Sequence, residues 1–341
     1  MASITPDSLM AAITAAEVAE ICSDLVRLDT TNPPGQERAA AEYVARYLGG
    51  LGLEIDTIEH SQTRATILTR LPGSGDAPAL LFSGHTDTVP VSDESGWETA
   101  PFAGSILNGR IWGRGASDMK GGLAAVLAAC KAIVEFGIRL KGDLVIAATA
   151  GEEVDMCGAK AICERSDLGP LQLIIIPEPT LNRAALAEKG TLGAQFTTHG
   201  QAAHGSTPEL GSNAIMLMFE LLQAFFDLDI QGFTHPLAGR LSRSVNMIKG
   251  GIKTNIVPDR CVANVDIRTV PGQDHQALLR LFRMMIDDLE QHTPSFRADA
   301  DLKYELPWIE TPQDDPAVQQ FLAAMAGVMK APPEICGVTF A

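Results

Sequence analysis

His85 and Asp87 stand two residues apart just beyond an apolar run, Ala79-Leu80-Leu81-Phe82, and the small pair Ser83-Gly84. The run reads as a buried strand. Residues i and i+2 of an extended chain face the same side, so an imidazole and a carboxylate leave the strand end together. In α/β sheets ligands bind at that C-terminal edge. A carboxylate beside an imidazole fixes its tautomer and raises its basicity, as around a metal-bound histidine. A turn histidine next to a solvated aspartate accounts for these two residues equally well.

More acids follow at comparable places. Gly113-Arg114-Gly115-Ala116-Ser117-Asp118 leads through Met119-Lys120-Gly121-Gly122 into a helix expected over 123–136. A strand expected over 143–148 runs into Gly151-Glu152-Glu153, and another over 171–176 ends at Pro177-Glu178-Pro179. One imidazole with several carboxylates suits zinc, cobalt or manganese better than calcium or copper. A dication would offset the mutual repulsion of the carboxylates. Glu152 and Glu153 are adjacent and point opposite ways after a strand, which suggests two jobs: one binds metal, the other takes a proton from an attacking water.

These residues need a scaffold that brings strand ends together. The 341 residues suffice for two domains with a large core. In residues 1–186, helices at 8–28, 37–48 and 123–136 alternate with strands at 55–58, 65–71, 79–82, 143–148 and 171–176. That pattern predicts an α/β domain on a mostly parallel sheet. Asn32-Pro33-Pro34-Gly35 is a strong break between the first two helices. Over 187–309 the pattern becomes strand 193–198, helix 213–226, strands 244–248 and 261–268, helix 275–292 and strand 302–308. This βαββαβ order predicts an inserted ferredoxin-like layer with one wet face. Residues 310–341, with a helix at 315–329, are expected to return to the first domain.

Composition narrows the function classes. A net charge of -16 argues against nucleic acid or an anionic membrane as a partner. The first twenty residues hold no Lys or Arg, and Asp7, Glu17 and Glu20 interrupt their apolar residues, unlike a signal peptide. The six cysteines show no C-x-x-C spacing, and several lie in apolar or helical runs, so a reducing cytoplasm without disulfides is expected.

Ser83-Gly84-His85-Thr86-Asp87, the Gly113–Gly122 stretch, Gly151-Glu152-Glu153 and Pro177-Glu178-Pro179 together resemble the M20 metallopeptidase family, in that family's order and over nearly the whole chain. The family includes acetylornithine deacetylase, succinyl-diaminopimelate desuccinylase, aminoacylase and glutamate-releasing carboxypeptidases. The resemblance implies two divalent metal ions, zinc above all, bridged by Asp118. It implies His85 and Glu178 on one ion, Glu153 on the other, Asp87 orienting His85, and Glu152 as general base. A cis peptide is implied after Asp118. The second domain resembles the family's lid and dimerisation domain, which implies a homodimer. Gly200-Gln201-Ala202-Ala203-His204 matches its histidine motif, so His204 would stabilise the oxyanion from the partner subunit. Asn255 and Arg268 match lid segments that contact substrate. Arg268 suits a substrate carboxylate, or serves as an ion-pair partner of Asp266 or Asp259. Lys189 fits a family position, although a lone surface lysine is the plainer reading.

The implied activity is hydrolysis of a linear amide that removes an N-acyl group, acetyl or succinyl, from an amino acid. A dipeptidase or carboxypeptidase activity, or a non-catalytic binding relative, are the alternatives. The sequence departs from the family at its end. Cys336-Gly337-Val338-Thr339-Phe340-Ala341 reads as the start of an apolar strand, and the second metal's histidine ligand is expected some tens of residues further on. A truncated or cleaved form is the favoured reading, with a ligand from water or another chain, or lost activity, as the others.

Overall fold

The computed structural model describes residues 6–339 apart from 231 and 233. Residues 1–5 of the N-terminal segment, and Phe340 and Ala341 of the final apolar stretch, lie outside the described residues. The chain divides into two compact units, Met1–Pro179 and Thr180–Ala341.

The first unit comprises helices α1 (Pro6–Ala12), α2 (Ala15–Val26) and α3 (Arg38–Gly50), then strands β1 (Ile55–Glu59), β2 (Ala65–Leu71) and β3 (Ala79–His85). A small hairpin follows, β4 (Ser105–Leu107) and β5 (Arg110–Trp112). The unit continues with α4 (Gly121–Glu135), β6 (Leu144–Thr149), α5 (Cys157–Cys163) and β7 (Leu171–Ile175). The helix expected over 8–28 is two helices. Thr14 caps the second, its hydroxyl accepting from Glu17 N at 3.1 Å, and this local bond stops α1 from running on.

The main sheet has the order β1-β2-β6-β3-β7. β6, β3 and β7 are parallel; β2 is antiparallel to both β1 and β6, so only β2 runs against the others. The expected mixed α/β fold with a mostly parallel sheet is present. Every residue of the central strand β6 is buried, consistent with its unbroken Leu-Val-Ile-Ala-Ala-Thr run. Leu25, Val44, Leu123 and Leu127 from α2, α3 and α4 pack with Ile67 and Ile146 on one face. Leu68, Leu81 and Val145 pack with Ile162 of α5 on the other.

The second unit begins with β8 (Ala184–Glu188), β9 (Gly190–His199), β10 (Ala203–His204), α6 (Ala214–Asp227), β11 (Ser242–Gly250), β12 (Ile256–Val257) and β13 (Arg260–Thr269). It ends with α7 (His275–His292), β14 (Ala298–Leu306), β15 (Ile309–Glu310), α8 (Pro316–Met329) and β16 (Ile335–Val338). β11-β13-β9-β14 form an antiparallel sheet. Along β13 buried positions alternate with half-buried ones. Phe196, Phe225 and Phe282 meet edge to face in the core, with centroids 5.3 to 5.8 Å apart. β15 and β16 both pair with β8, the strand that spans the expected boundary at residue 186.

Candidate metal centre

His85 is the last residue of β3 and only 2% exposed. Its Nδ1 lies 3.0 Å from the Asp87 carbonyl oxygen. A carbonyl only accepts, so Nδ1 carries the hydrogen and Nε2 is left to face the acids. Nε2 is 3.0 Å from Asp118 Oδ1, 3.6 Å from Glu178 Oε1 and 4.0 Å from Glu152 Oε2. The Asp87 carboxylate is 3.6 Å from Nδ1, so the expected orientation of the ring by Asp87 comes through its backbone carbonyl.

The Asp87 side chain has another task. It is fully buried. Oδ1 accepts from Gly151 N at 3.0 Å and Glu152 N at 3.1 Å; Oδ2 accepts from Glu153 N at 3.2 Å and Asn32 Nδ2 at 2.9 Å. One carboxylate therefore grips three successive backbone N–H groups of the turn that carries both glutamates, an anion seated in a backbone nest. The sequence reading missed Asn32, which it used only as part of a chain break.

Asp118 sits in the irregular turn Ala116–Lys120, which leads into α4. The Asp118–Met119 peptide is cis. Met119 is buried, and its Sδ accepts from His85 N at 3.2 Å. Lys120 is fully buried, donates to Leu28 O at 2.9 Å, and burial pushes its pKa down to about 8.

Two groups of donors, each with ligand atoms within 4.8 Å of one another, converge here: His85–Asp118–Glu178 and His85–Glu152–Glu153. The first is the set expected for one ion. Glu153 is gathered with His85 and Glu152 rather than with Asp118. Among the described residues these are the only such groups. One imidazole and four carboxylates suit a borderline divalent ion. The Asp118 side chain is 59% exposed, which leaves an approach from solvent.

The electrostatics match such a site. Burial raises the carboxyls of Glu152 and Glu153, and raises Glu178 to about 7. Burial opposes charge on His85, but the Asp118 hydrogen bond and the nearby Glu178, Glu152 and Asp87 carboxylates outweigh it and hold the imidazole up to about 9. A positive ion would replace the proton in both roles.

The pH dependence follows with a definite sign. Folded values above unfolded ones stabilise the metal-free chain at low pH. That contribution fades as pH rises from 4.5 through about 7 for Glu178, and from 6.5 through about 9 for His85. The metal-free melting temperature should therefore fall between neutral pH and about pH 9, and zinc should remove most of that fall. Thermal melts with zinc and with a chelator check this.

In the second unit, His204 is exposed on β10. Its Nδ1 accepts from Ser206 N at 3.2 Å and lies 2.7 Å from Ser206 Oγ. Asn255 is exposed, and its carbonyl accepts from Gly205 N at 2.8 Å, while β12 pairs with β10. The structure thus brings His204 and Asn255 together. Arg268 Nε donates to Asp266 Oδ1 at 2.9 Å, so of its two expected uses the ion pair with Asp266 is present. Lys189 departs from the surface reading: it is 8% exposed and donates to Arg240 O at 2.6 Å, because it lies in the turn between β8 and β9 beneath that segment.

A family model described as peptidase family M20/M25/M40 matches residues 81–340. The chain belongs to this family. It is an M20-type metallohydrolase acting on amide bonds. It is 28% identical over 324 residues to a probable succinyl-diaminopimelate desuccinylase of Staphylococcus epidermidis, covering 88% of this chain and 78% of that one. The M20 fold is shared with aminopeptidase PepT of Bacillus cereus, at 20% identity and a TM-score of 0.78, over 96% of this chain and 86% of that one. It is also shared with the Bacillus subtilis YXEP protein, described as a dinuclear metal-binding peptidase of the M20 family. There the identity is 14% and the TM-score 0.70, over 96% of this chain and 83% of that one. Among the described residues no helix is long and apolar enough to cross a membrane.

Proposed function

We propose that this M20 hydrolase removes an N-acyl group, acetyl or succinyl, from an amino acid, using two divalent ions, zinc first among them. His85, Asp118, Glu153 and Glu178 would hold the ions. The observation that carries this reading is the grip of Asp87 on the Gly151–Glu153 turn, which holds Glu152 beside His85. The dinuclear description of the Bacillus subtilis relative supports two ions.

Bound there, divalent ions supply Lewis-acid polarisation of the amide carbonyl and lower the pKa of the attacking water. Glu152, with its carboxyl raised by burial, takes the water's proton and passes it to the leaving amine. His204 donates to the developing oxyanion from the partner subunit. Its Nδ1 accepts a backbone N–H, so its Nε2 carries the hydrogen such a donor needs. Asn255 and Arg268 contact the substrate, the arginine serving its carboxylate. In this reading residues 187–309 are an inserted lid, flanked by a catalytic domain of 1–186 and 310–341. The lid would also make the homodimer: β11 is an edge strand exposing Met247 and Ile248, and α6 exposes Met216 and Phe219. The cysteine usage and net charge fit a cytoplasmic enzyme whose partners are small N-acyl amino acids or short peptides, without nucleic acid or membrane.

The desuccinylase relative favours acyl removal; the second reading is a dipeptidase or carboxypeptidase of the same family. Zinc-loaded and chelator-treated protein assayed on N-acetyl-amino acids, N-succinyl-amino acids and dipeptides decides between them. Acyl substrates should show kcat/KM at least about tenfold above dipeptides, with turnover lost on chelation. A preference for dipeptides supports the second reading, and no hydrolysis of any of them contradicts both.

A further inference from the structure

Arg64 stands just before β2, far in sequence from the acids of the centre. Its Nε donates to Glu37 Oε1 at 3.1 Å, and its Nη1 and Nη2 fork onto both oxygens of Asp155 at 2.7 and 3.0 Å. Glu37 is fully buried, and its Oε2 has no hydrogen-bond partner. A buried carboxylate with one oxygen unpartnered is costly unless its cation stays in place, so Glu37 anchors the guanidinium. Asp155 lies two residues beyond Glu153, and its Oδ1 also accepts from Cys157 N at 3.1 Å, tying the loop to the start of α5.

The space around the guanidinium is kept open by two glycines. A Cβ on Gly35 would lie 2.7 Å from Arg64 Cδ, and one on Gly151 would lie 2.3 Å from both Arg64 Nη2 and Asp155 Oδ1. Both residues also have positive φ, +92° and +82°, which disfavours any side chain there. Gly151 opens the very turn whose N–H groups Asp87 grips.

We propose that Arg64, anchored by Glu37, is a positioning residue that clamps the far end of the 151–155 loop through Asp155 and so sets where Glu152 and Glu153 present their carboxylates to the ions. Asp87 holds the backbone of Gly151, Glu152 and Glu153, and Arg64 holds the loop two residues further on, at Asp155. This rests on the proposed metal-dependent function.

Two variants test it. Asp155→Ala removes the loop's end of the clamp at a half-exposed position, where folding should tolerate the loss. Arg64→Met combined with Glu37→Gln removes the anchor without stranding a buried charge. Zinc affinity is read by chelator competition, and amide exchange over residues 151–157 by mass spectrometry on the metal-free chain. Both variants should melt close to the wild type, bind zinc about 10- to 100-fold more weakly and exchange faster over that loop, with kcat falling more than KM changes. A folded variant with wild-type zinc affinity, or with unchanged exchange at 151–157, overturns the clamp alone. A wild-type chain that takes up no zinc overturns the proposed function and the clamp with it.

Discussion

Glu152→Gln should lower kcat by about 10³-fold while leaving KM and bound zinc close to their wild-type values. Glutamine keeps the size of the side chain and its reach toward His85, whose Nε2 lies 4.0 Å from Glu152 Oε2. It loses the ability to accept a proton. Burial raises the Glu152 carboxyl, which makes it a stronger base than a solvated glutamate. If Glu152 instead served mainly as a ligand, the same substitution would lower zinc content together with turnover. Steady-state kinetics beside metal analysis of the same preparation separates the two.

Asp87→Ala should be the most destabilising single change at the site. Four donors converge on this buried carboxylate: the N–H groups of Gly151, Glu152 and Glu153 and the amide of Asn32. Leaving a buried donor unpaired costs about 1–3 kcal/mol, and the costs overlap within one network, so a loss of about 4 kcal/mol or more is expected. Asp87→Asn keeps one accepting oxygen and turns an amide NH2 toward the other donors, so it should fall between alanine and the wild type. Urea unfolding of the metal-free chain measures both. A loss below about 1 kcal/mol for alanine would place the turn's support elsewhere.

The acids of the centre were legible because each closes an apolar run or a glycine-rich turn, and such runs end at the same edge of the sheet. The sheet itself was legible through its β-rich apolar segments, and β6 shows this most plainly: a fully buried strand must be continuously apolar. The role of the Asp87 side chain was less accessible. It bonds backbone N–H groups more than sixty residues away, and those groups leave no trace in residue identity. Arg64 escaped for a related reason: its partners lie 27 and 91 residues away, and an arginine before a strand carries no local signal. The break at Thr14 shows local chemistry prevailing over apolar recurrence, which runs uninterrupted across it. Lys189 was misplaced because burial of a lone lysine depends on which carbonyl tertiary packing brings to it, here that of Arg240.

The central claim is that His85, Asp118, Glu153 and Glu178 gather divalent metal at one end of the sheet. Anomalous X-ray diffraction from crystals of the zinc-loaded chain tests it most directly. The account predicts anomalous density bounded by His85 Nε2 and the carboxylates of Asp118 and Glu178, with a second peak on the Glu153 side. Crystals of zinc-saturated protein with no anomalous density among these side chains, or with the metal held elsewhere, would contradict it.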